Sequence, residues 1–494
     1  MREPVEWPTR DLVSHRAATT PERTAVVDAD RDTDRTYREL DAAVDSVAAA
    51  FDARCVRSGG CVAALVDTRP AVAEVLYGAM RTGRTFAPLS VELAPDTLVA
   101  QVDALDADLL VCERGTESLA TEVADCPVVS VDDPTTSAVA SLDGAAPTAE
   151  ITPAALSRDD DAVLMFTSGT TSEPKGVRLT LGNLVASATA SAVRLGVLPG
   201  DRWLVCLPTY HMGGLAPFVR SALYGTAVVV QRKFDPGETA SVMADYDVTG
   251  VSLVPTMCKR LVERGWKPAE PLRTVLLGGG PADNDLVEAC LARGIPVCPT
   301  YGTTETASQI ATALPDTAGE YPDTVGQPLV TTTVAVVADG EPCEPGEVGE
   351  LVVSGPTVTP GYLDDATADA FGDRGFHTGD LGYRDADGRL WVVGRVDDRI
   401  VTGGENVAAG TVEATIRGLS GVEAAAVVGL PDAEWGQRVA ALVVGDTDPD
   451  TVVDYCRAEL APYEVPKTVR VVDALPHTPS GTVDRRAVRR RLRS

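Results

Sequence analysis

The residues best able to do chemistry lie in Ala162-Val-Leu-Met-Phe-Thr-Ser-Gly-Thr-Thr-Ser-Glu-Pro-Lys-Gly-Val-Arg-Leu-Thr180. An apolar run enters a loop of hydroxyls, glycines and one lysine, and an alternating run leaves it. Thr167, Ser168, Thr170 and Thr171 offer hydroxyl donors, Gly169 permits close backbone approach, and Lys175 adds a cation. Donors bunched in this way suit a polyphosphate, each meeting an anionic oxygen. The pattern is not a Walker A loop, which needs Ser or Thr directly after the lysine and a helix facing the phosphates. Here Gly176 and then a strand follow Lys175, so the segment reads as a flap between two strands. An ordinary polar hairpin is the alternative reading.

Further groupings stand in a fixed order. Gly278-Gly-Gly-Pro-Ala282 follows a strand, and Gly279 and Gly280 let a flat ring lie against bare backbone. In Pro299-Thr-Tyr-Gly-Thr-Thr-Glu305, Tyr301 can stack a purine and Glu305 can reach a Mg²⁺ on the phosphates. His377-Thr-Gly-Asp380 presents a carboxylate suited to a ribose diol. Gly394-Arg-Val-Asp-Asp-Arg-Ile-Val-Thr-Gly-Gly-Glu-Asn406 ends in two glycines that can bend sharply. Each alone reads equally as a turn, a core aromatic or a surface ion pair. Their joint order leaves little room for coincidence.

The elements that must position these groups follow from the apolar pattern. Short apolar runs at Cys61–Val66, Ala107–Cys112, Arg202–Leu207, Thr226–Gln231, Gly250–Val254 and Arg273–Leu277 are separated by helix-length segments, among them 71–82 and a helix starting at Asp41 after Tyr37-Arg-Glu-Leu40. Such alternation predicts mostly parallel sheets covered on both faces, an α/β fold. Residues 130–157 read as a surface connection. Beyond about residue 320, short strands with tight turns predict an antiparallel β subdomain. The last hundred residues predict a small α+β domain: helix 411–418, strands 422–429 and 438–444, helix 449–460 and strand 468–473.

Composition narrows the function classes. The net charge is −29, only residues 175, 233, 259, 267 and 467 are lysine, and arginine makes up 38 of the 43 basic residues. Acidic residues are scattered along the whole length, which reads as the solvated anionic coat of a salt-accumulating halophile. Nucleic acid is excluded as a partner, since no basic face is available to release counterions. The basic cluster from Arg485 to Arg493 reads as the end of an amphipathic helix, complementing its macrodipole. Ten cysteines without a C-x-x-C pair read as small core residues of a reduced compartment, not as a zinc site. With no apolar run near eighteen residues and no charged-then-apolar leader, a cytoplasmic chain without a membrane span is expected.

On these motifs the chain resembles the adenylate-forming superfamily of acyl- and aryl-CoA synthetases, nonribosomal adenylation domains and luciferases. The likeness covers essentially the whole length. It implies a large N-terminal domain, residues 1–396, of mostly parallel sheets with helices plus the antiparallel β subdomain. A small mobile domain, 397–494, would pivot at Asp397. It implies that Thr167, Ser168, Gly169, Thr170, Thr171 and Lys175 hold ATP phosphates. Gly279, Gly280, Tyr301, Gly302 and Thr303 would cradle the nucleotide, and Glu305 would take the metal beside Thr304. Asp380 and Arg395 would grip the ribose, while Gly403, Gly404 and Gly436 would line the path of coenzyme A. ATP, Mg²⁺, coenzyme A and a small acid are the implied ligands, and a homodimer is left open.

Pro208-Thr-Tyr-His-Met-Gly-Gly-Leu-Ala-Pro-Phe-Val-Arg-Ser-Ala-Leu-Tyr-Gly225 bears on the acid. It is similar to the acid-pocket helix of o-succinylbenzoate–CoA ligases of menaquinone synthesis, as are Arg273–Pro281 and Glu305–Gln309. His211, Arg220, Ser221 and Thr256 are the residues so implied, with His211 also placed beside the chemistry. Arg220 is the only charge in a mostly apolar stretch, and a lone buried guanidinium is costly unless an anion meets it. A second carboxylate on the acid would supply that anion; an intramolecular ion pair is the competing reading. Other aryl or short-chain acids, and an adenylation-impaired nucleotide- or acyl-adenylate-binding protein, are the alternative functions.

One departure motivates the last of these. The family carries a lysine after Ser-Gly near the C-terminus, and here Pro479-Ser-Gly-Thr482 puts threonine in that place. Ala408-Ala409 also replace the Tyr-Pro of many relatives. A missing cation at a developing anionic centre costs a few kcal/mol of barrier, on the order of a hundredfold in rate. Thr482→Lys is therefore expected to accelerate acid-dependent exchange of pyrophosphate into ATP; an unchanged rate would show that the position is not used.

Overall fold

The computed structural model describes residues 7–54, 57, 59–142, 151–167, 175–282, 284–363, 370–398, 400–402, 405–407, 409–433, 435–476 and 483–493, with the backbone alone at 397 and 406. The chain forms two compact units, residues 1–333 with 353–376, and residues 334–352 with 377–494.

Two largely parallel sheets build the first unit. In one, Thr24–Asp28, Ala227–Val230, Arg202–Val205, Gly250–Leu253, Thr274–Leu277 and Val297–Tyr301 lie side by side in that order, all parallel. In the other, Ala140–Ser141, Val128–Ser130, Ala107–Cys112, Cys61–Leu65, Thr85–Pro88 and Asp161–Thr167 are parallel, and Lys175–Thr180 closes the edge antiparallel. Alternate residues serve opposite faces, as the strand period requires. Val26, Val205 and Val228 join the core shared with helices Tyr37–Ala53, Ala71–Arg81, Leu181–Leu195 and Met212–Tyr224 and with the second sheet. Their neighbours Val27, Leu204 and Val229 face an outer layer that includes helices Pro255–Glu263 and Asn284–Leu291. The expected strand–helix alternation and double burial are therefore present.

Two expectations need correcting. The helix expected from Asp41 begins at Tyr37, so Tyr37-Arg-Glu-Leu40 is its first turn. The cause is a capping box: the Thr36 hydroxyl accepts from the Glu39 amide at 3.2 Å, and the Glu39 carboxylate accepts from the Thr36 amide at 2.8 Å. The C-terminal basic cluster is likewise a whole helix, Arg485–Arg493, rather than only a helix end. Asp484 caps it through the Ala487 amide at 2.9 Å. Arg485 thus stands at the positive pole of the helix and is held there by carboxylates, Asp398 at 2.7 Å and Glu413 at 2.7 Å.

In the second unit, Gly436–Gly445 pairs antiparallel with Val422–Asp432 and Ile400–Thr402 and parallel with Thr468–Val471. Helices Ala409–Arg417 and Pro449–Glu459 cover one face through Val412, Ile416, Val452 and Cys456. Val488 and Leu492 of the last helix cover the other. Strands Gly349–Ser354, Gly375–Arg384 and Leu390–Arg395 belong to the antiparallel region expected from the turn spacing. Among the described residues, no helix is long and apolar enough to cross a membrane. The cysteines recorded there are free thiols, most of them buried.

Removing the Thr36 hydroxyl leaves the Glu39 amide without its cap, so Thr36→Ala should lower stability by about 1 kcal/mol. Urea unfolding measures this, and an unmoved midpoint would deny the cap its role.

Candidate active site

The first unit gathers one set of the expected residues. Strands Asp161–Thr167 and Lys175–Thr180 form an antiparallel pair whose last register couples Thr167 with Lys175. The intervening Ser168, Gly169, Thr170 and Thr171 lie outside the described residues. The segment 359–363 runs along the second strand: the Leu363 amide donates to the Gly176 carbonyl at 2.8 Å, and Tyr362 bridges to Val177. A side chain at 176 would meet the Leu363 side chain at 2.5 Å, so Leu363 packs directly against the bare backbone there. This docking sets the Tyr362 ring 5.2 Å from the Lys175 ammonium, within cation–π range. The Tyr362 hydroxyl donates to Glu305 Oε1 at 2.9 Å, and the Thr359 amide donates to the Glu305 carbonyl at 2.7 Å. Lys175 and Glu305, far apart in sequence, are thereby joined through one phenol.

Glu305 sits in a 3-10 turn, Thr304–Thr306, just past strand Val297–Tyr301. Tyr301, Gly302, Thr303 and Thr304 are in this stretch. The turn closes tightly: Ile310 donates to the Tyr301 carbonyl at 2.7 Å, and Ser308 takes a φ of 118°, strained for a residue with a side chain. A Cβ at Gly302 would fall 1.6 Å from the Ser308 carbonyl oxygen. On the neighbouring strand end, a side chain at Gly278 would run into Thr300, whereas among the described residues one at Gly279 would meet only Val254 and one at Gly280 nothing within 4 Å. Bare backbone therefore stands at the carboxyl edge of a parallel sheet, where open α/β folds bind ligands. Among the described residues, no three His, Cys, Asp or Glu side chains cluster as a metal site. Glu305 can serve a Mg²⁺ that takes its other ligands from phosphates and water, the usual habit of that ion.

The helix Met212–Tyr224 crosses beside this turn. His211 is its N-cap, with its ring edge against Tyr210 at 4.8 Å between centroids. Desolvation lowers the His211 pKa, and the Glu92 carboxylate opposes it. Arg220 is 5% exposed; its Nη2 donates to the Ser308 hydroxyl at 3.1 Å, and its Nε has no acceptor. No carboxylate among the described residues pairs with it, and desolvation pushes its pKa below the ordinary guanidinium value. The intramolecular ion pair considered above is absent there. Ser221 is buried facing Ala227, 3.5 Å from that carbonyl, while Thr256 lies exposed in the first turn of helix Pro255–Glu263.

The second unit holds another set. Asp380 and Arg395 are register partners on adjacent strands, with the carboxylate 2.8 Å from Nη1. Glu350 fixes the preceding turn, accepting from the Gly379 amide at 3.0 Å and contacting His377 Nδ1 at 2.8 Å. Strand Leu390–Arg395 runs directly into the 3-10 turn Val396–Asp398, which contains Asp397. Gly436 opens a strand with φ 73°, beside Trp435, whose ring lies 3.5 Å from the Lys467 ammonium. Gly403, Gly404, Ala408 and Thr482 lie outside the described residues.

Sequence reading missed Tyr362, Ser187 and Asn183. Ser187 donates to the Ala307 carbonyl at 2.7 Å; Asn183 donates to the carbonyls of Pro356 and Val358, both at 2.9 Å. Only Asn183 left a local signal, a capping pattern with Thr180.

Bare glycine backbone at a sheet's carboxyl edge, in a unit that also holds the strand pair Thr167/Lys175, fits the family to which the chain belongs, the AMP-binding enzymes. Residues 13–363 match the AMP-binding enzyme family and residues 411–482 its C-terminal domain. The 2-succinylbenzoate–CoA ligase of Bacillus licheniformis is 36% identical over 479 residues, covering 96% of this chain and 98% of its own. An o-succinylbenzoate CoA synthetase from Bacillus subtilis, solved in complex with the acyl-adenylate intermediate OSB-AMP, matches with a TM-score of 0.89 at 34% identity. That match covers 97% of this chain and 98% of the other. The same enzyme with ATP and magnesium ion matches with a TM-score of 0.88 at 33% identity, covering 98% and 99%.

Because the Ser308 carbonyl occupies the space of a side chain at 302, Gly302→Ala should destabilise the fold by about 1–3 kcal/mol. Thermal or urea unfolding reads the loss; a variant of native stability would mean that the turn relaxes freely.

Proposed function

We propose that this chain is an ATP- and Mg²⁺-dependent ligase that converts 2-succinylbenzoate to its coenzyme A thioester in menaquinone synthesis. The observation that carries this reading is Arg220, a buried guanidinium bonded to Ser308 and facing no carboxylate of its own among the described residues. An acid with two carboxylates supplies what this site lacks: one group neutralises Arg220 while the other reacts.

Chemistry then assigns the remaining parts. A carboxylate is a poor electrophile, so its oxygen attacks the α-phosphorus of ATP, and pyrophosphate leaves. The product is a mixed anhydride with AMP. Thr167 to Thr171 and Lys175 hold the phosphates, with Lys175 neutralising charge on the leaving oxygens. Mg²⁺ held at Glu305 supplies further charge neutralisation. Tyr362 keeps that carboxylate and the Lys175 ammonium on a common ring, so both act from fixed positions. Tyr301 stacks the adenine over Gly279 and Gly280, and Asp380, oriented by Arg395, takes the ribose hydroxyls. In the second step the thiolate of coenzyme A attacks the acyl carbon, and AMP departs.

In this reading residues 397–494 move as a small domain that pivots at Asp397, a division that falls inside the second compact unit. The Arg485 anchor on neighbouring Asp398 supports a stiff attachment of that turn within the second unit. Gly403, Gly404 and Gly436 line the coenzyme A path, and His211 and Thr256 flank the acid. Buried free thiols and the acidic coat suit a reducing, salt-rich cytoplasm.

Arg220→Ala should raise the KM for 2-succinylbenzoate by roughly 30-fold or more, the cost of a lost charge-assisted contact, and leave the KM for ATP nearly unchanged. Thioester formation from a panel of acids in molar KCl measures both. Equal activity of the wild type on monocarboxylic benzoates would remove the basis of the assignment.

A further inference from the structure

Arg220 lies between two small cavities. One, of about 10 Å³, is lined by Ser187, Met212, Ala216 and Ala307 as well as by Arg220. The other, of about 30 Å³, is lined by Ser191, Trp203, Tyr224 and the pair Asp201 and Arg273 as well as by Arg220. That larger space holds one or two water-sized species. Two buried donors on its lining residues have no acceptor among the described residues, Arg220 Nε and the indole Nε1 of Trp203.

The charges around the larger cavity do not balance. Arg273 is spent on Asp201, with Nε 3.1 Å from Oδ1, and on the carbonyls of Leu195 and Gly196 at 3.2 Å each. Burial pushes the Tyr224 phenol up to about 12, Arg220 opposing, so it stays neutral near pH 7. One uncompensated positive charge, that of Arg220, remains in a desolvated place. Water can satisfy the two N–H groups but cannot cancel the charge.

We propose that the larger cavity is an anion site that takes a halide between the Arg220 guanidinium and the Trp203 indole. The halide neutralises Arg220 while no acid is bound and is displaced, or loses its hold, when the acid's second carboxylate arrives. The competition rests on the acid-recognition reading above; the site itself rests on the cavity and its donors.

The test replaces potassium gluconate with potassium bromide at constant ionic strength, in acid-free protein. The expected result is a saturable rise in the thermal midpoint and a bromide anomalous peak in the larger cavity of crystals. Arg220→Gln should abolish the saturable rise, and Trp203→Phe should weaken bromide binding about fivefold, the loss of one hydrogen bond. If Arg220→Gln does not fold, the Trp203→Phe titration and the anomalous peak decide the matter. A bromide effect undiminished in both variants, or no saturable effect in the wild type, overturns the site even if Arg220→Ala still loses 2-succinylbenzoate. Kinetically, bromide should raise the KM for 2-succinylbenzoate and not that for ATP. Saturable binding without that competition upholds the halide site and removes Arg220 from acid recognition.

Discussion

A positive charge sealed inside apolar packing has to be answered by a negative one, and for Arg220 the described residues supply none. The helix Met212–Tyr224 is buried along most of its length, and Arg220 projects from it with a serine hydroxyl as its recorded partner. Elsewhere the chain treats buried arginines differently. Arg81, 1% exposed, is surrounded by Asp11, Asp41 and Asp45, and Arg69 is clamped by Glu113 and Asp132. Those are structural pairs, stabilising only because each charge is met. Against that practice Arg220 stands apart, with no carboxylate among the described residues to meet it.

The surrounding framework is organised to hold that arrangement still. The hairpin ending at Lys175 leads into helix Leu181–Leu195, capped at its start by Thr180. Asn183 then grips residues 356–358 and Ser187 grips Ala307, so one helix secures both the segment bearing Tyr362 and the turn bearing Glu305 and Ser308. Tyr362 closes the circuit back to Lys175 and Glu305. Every link is a hydrogen bond or cation–π contact between chain segments remote in sequence. Positioning of this kind lets charge neutralisation act without reorganisation during reaction.

How much of this was legible in the sequence depended on how local each signal was. The strand Ala107–Cys112 was read with its full bounds because its apolar run and flanking polar residues are written within a few positions. The helix start at Tyr37 was missed because aromatic and apolar periodicity drew the eye past the Thr36–Glu39 box. Arg220 stood out through composition alone, a charge where none belonged. Tyr362 left no mark: its partner Glu305 is 57 positions away, and no spacing rule connects them. The same holds for Glu350, which fixes the turn before Asp380 from another strand.

The turn from Gly302 to Ser308 carries a consequence for how such a protein can diversify. The residue assigned to the metal and the hydroxyl that touches Arg220 sit three positions apart on one loop, folded so closely that a backbone oxygen fills the place of a methyl group. On the proposed assignment, altering the acid pocket from this side would disturb the phosphate machinery in the same stroke. On that assignment the walls freer to vary are helical positions such as Leu184, Ala188 and Ala216, which line a small cavity with Arg220 and carry neither the carboxylate assigned to the metal nor a hydrogen bond to its turn.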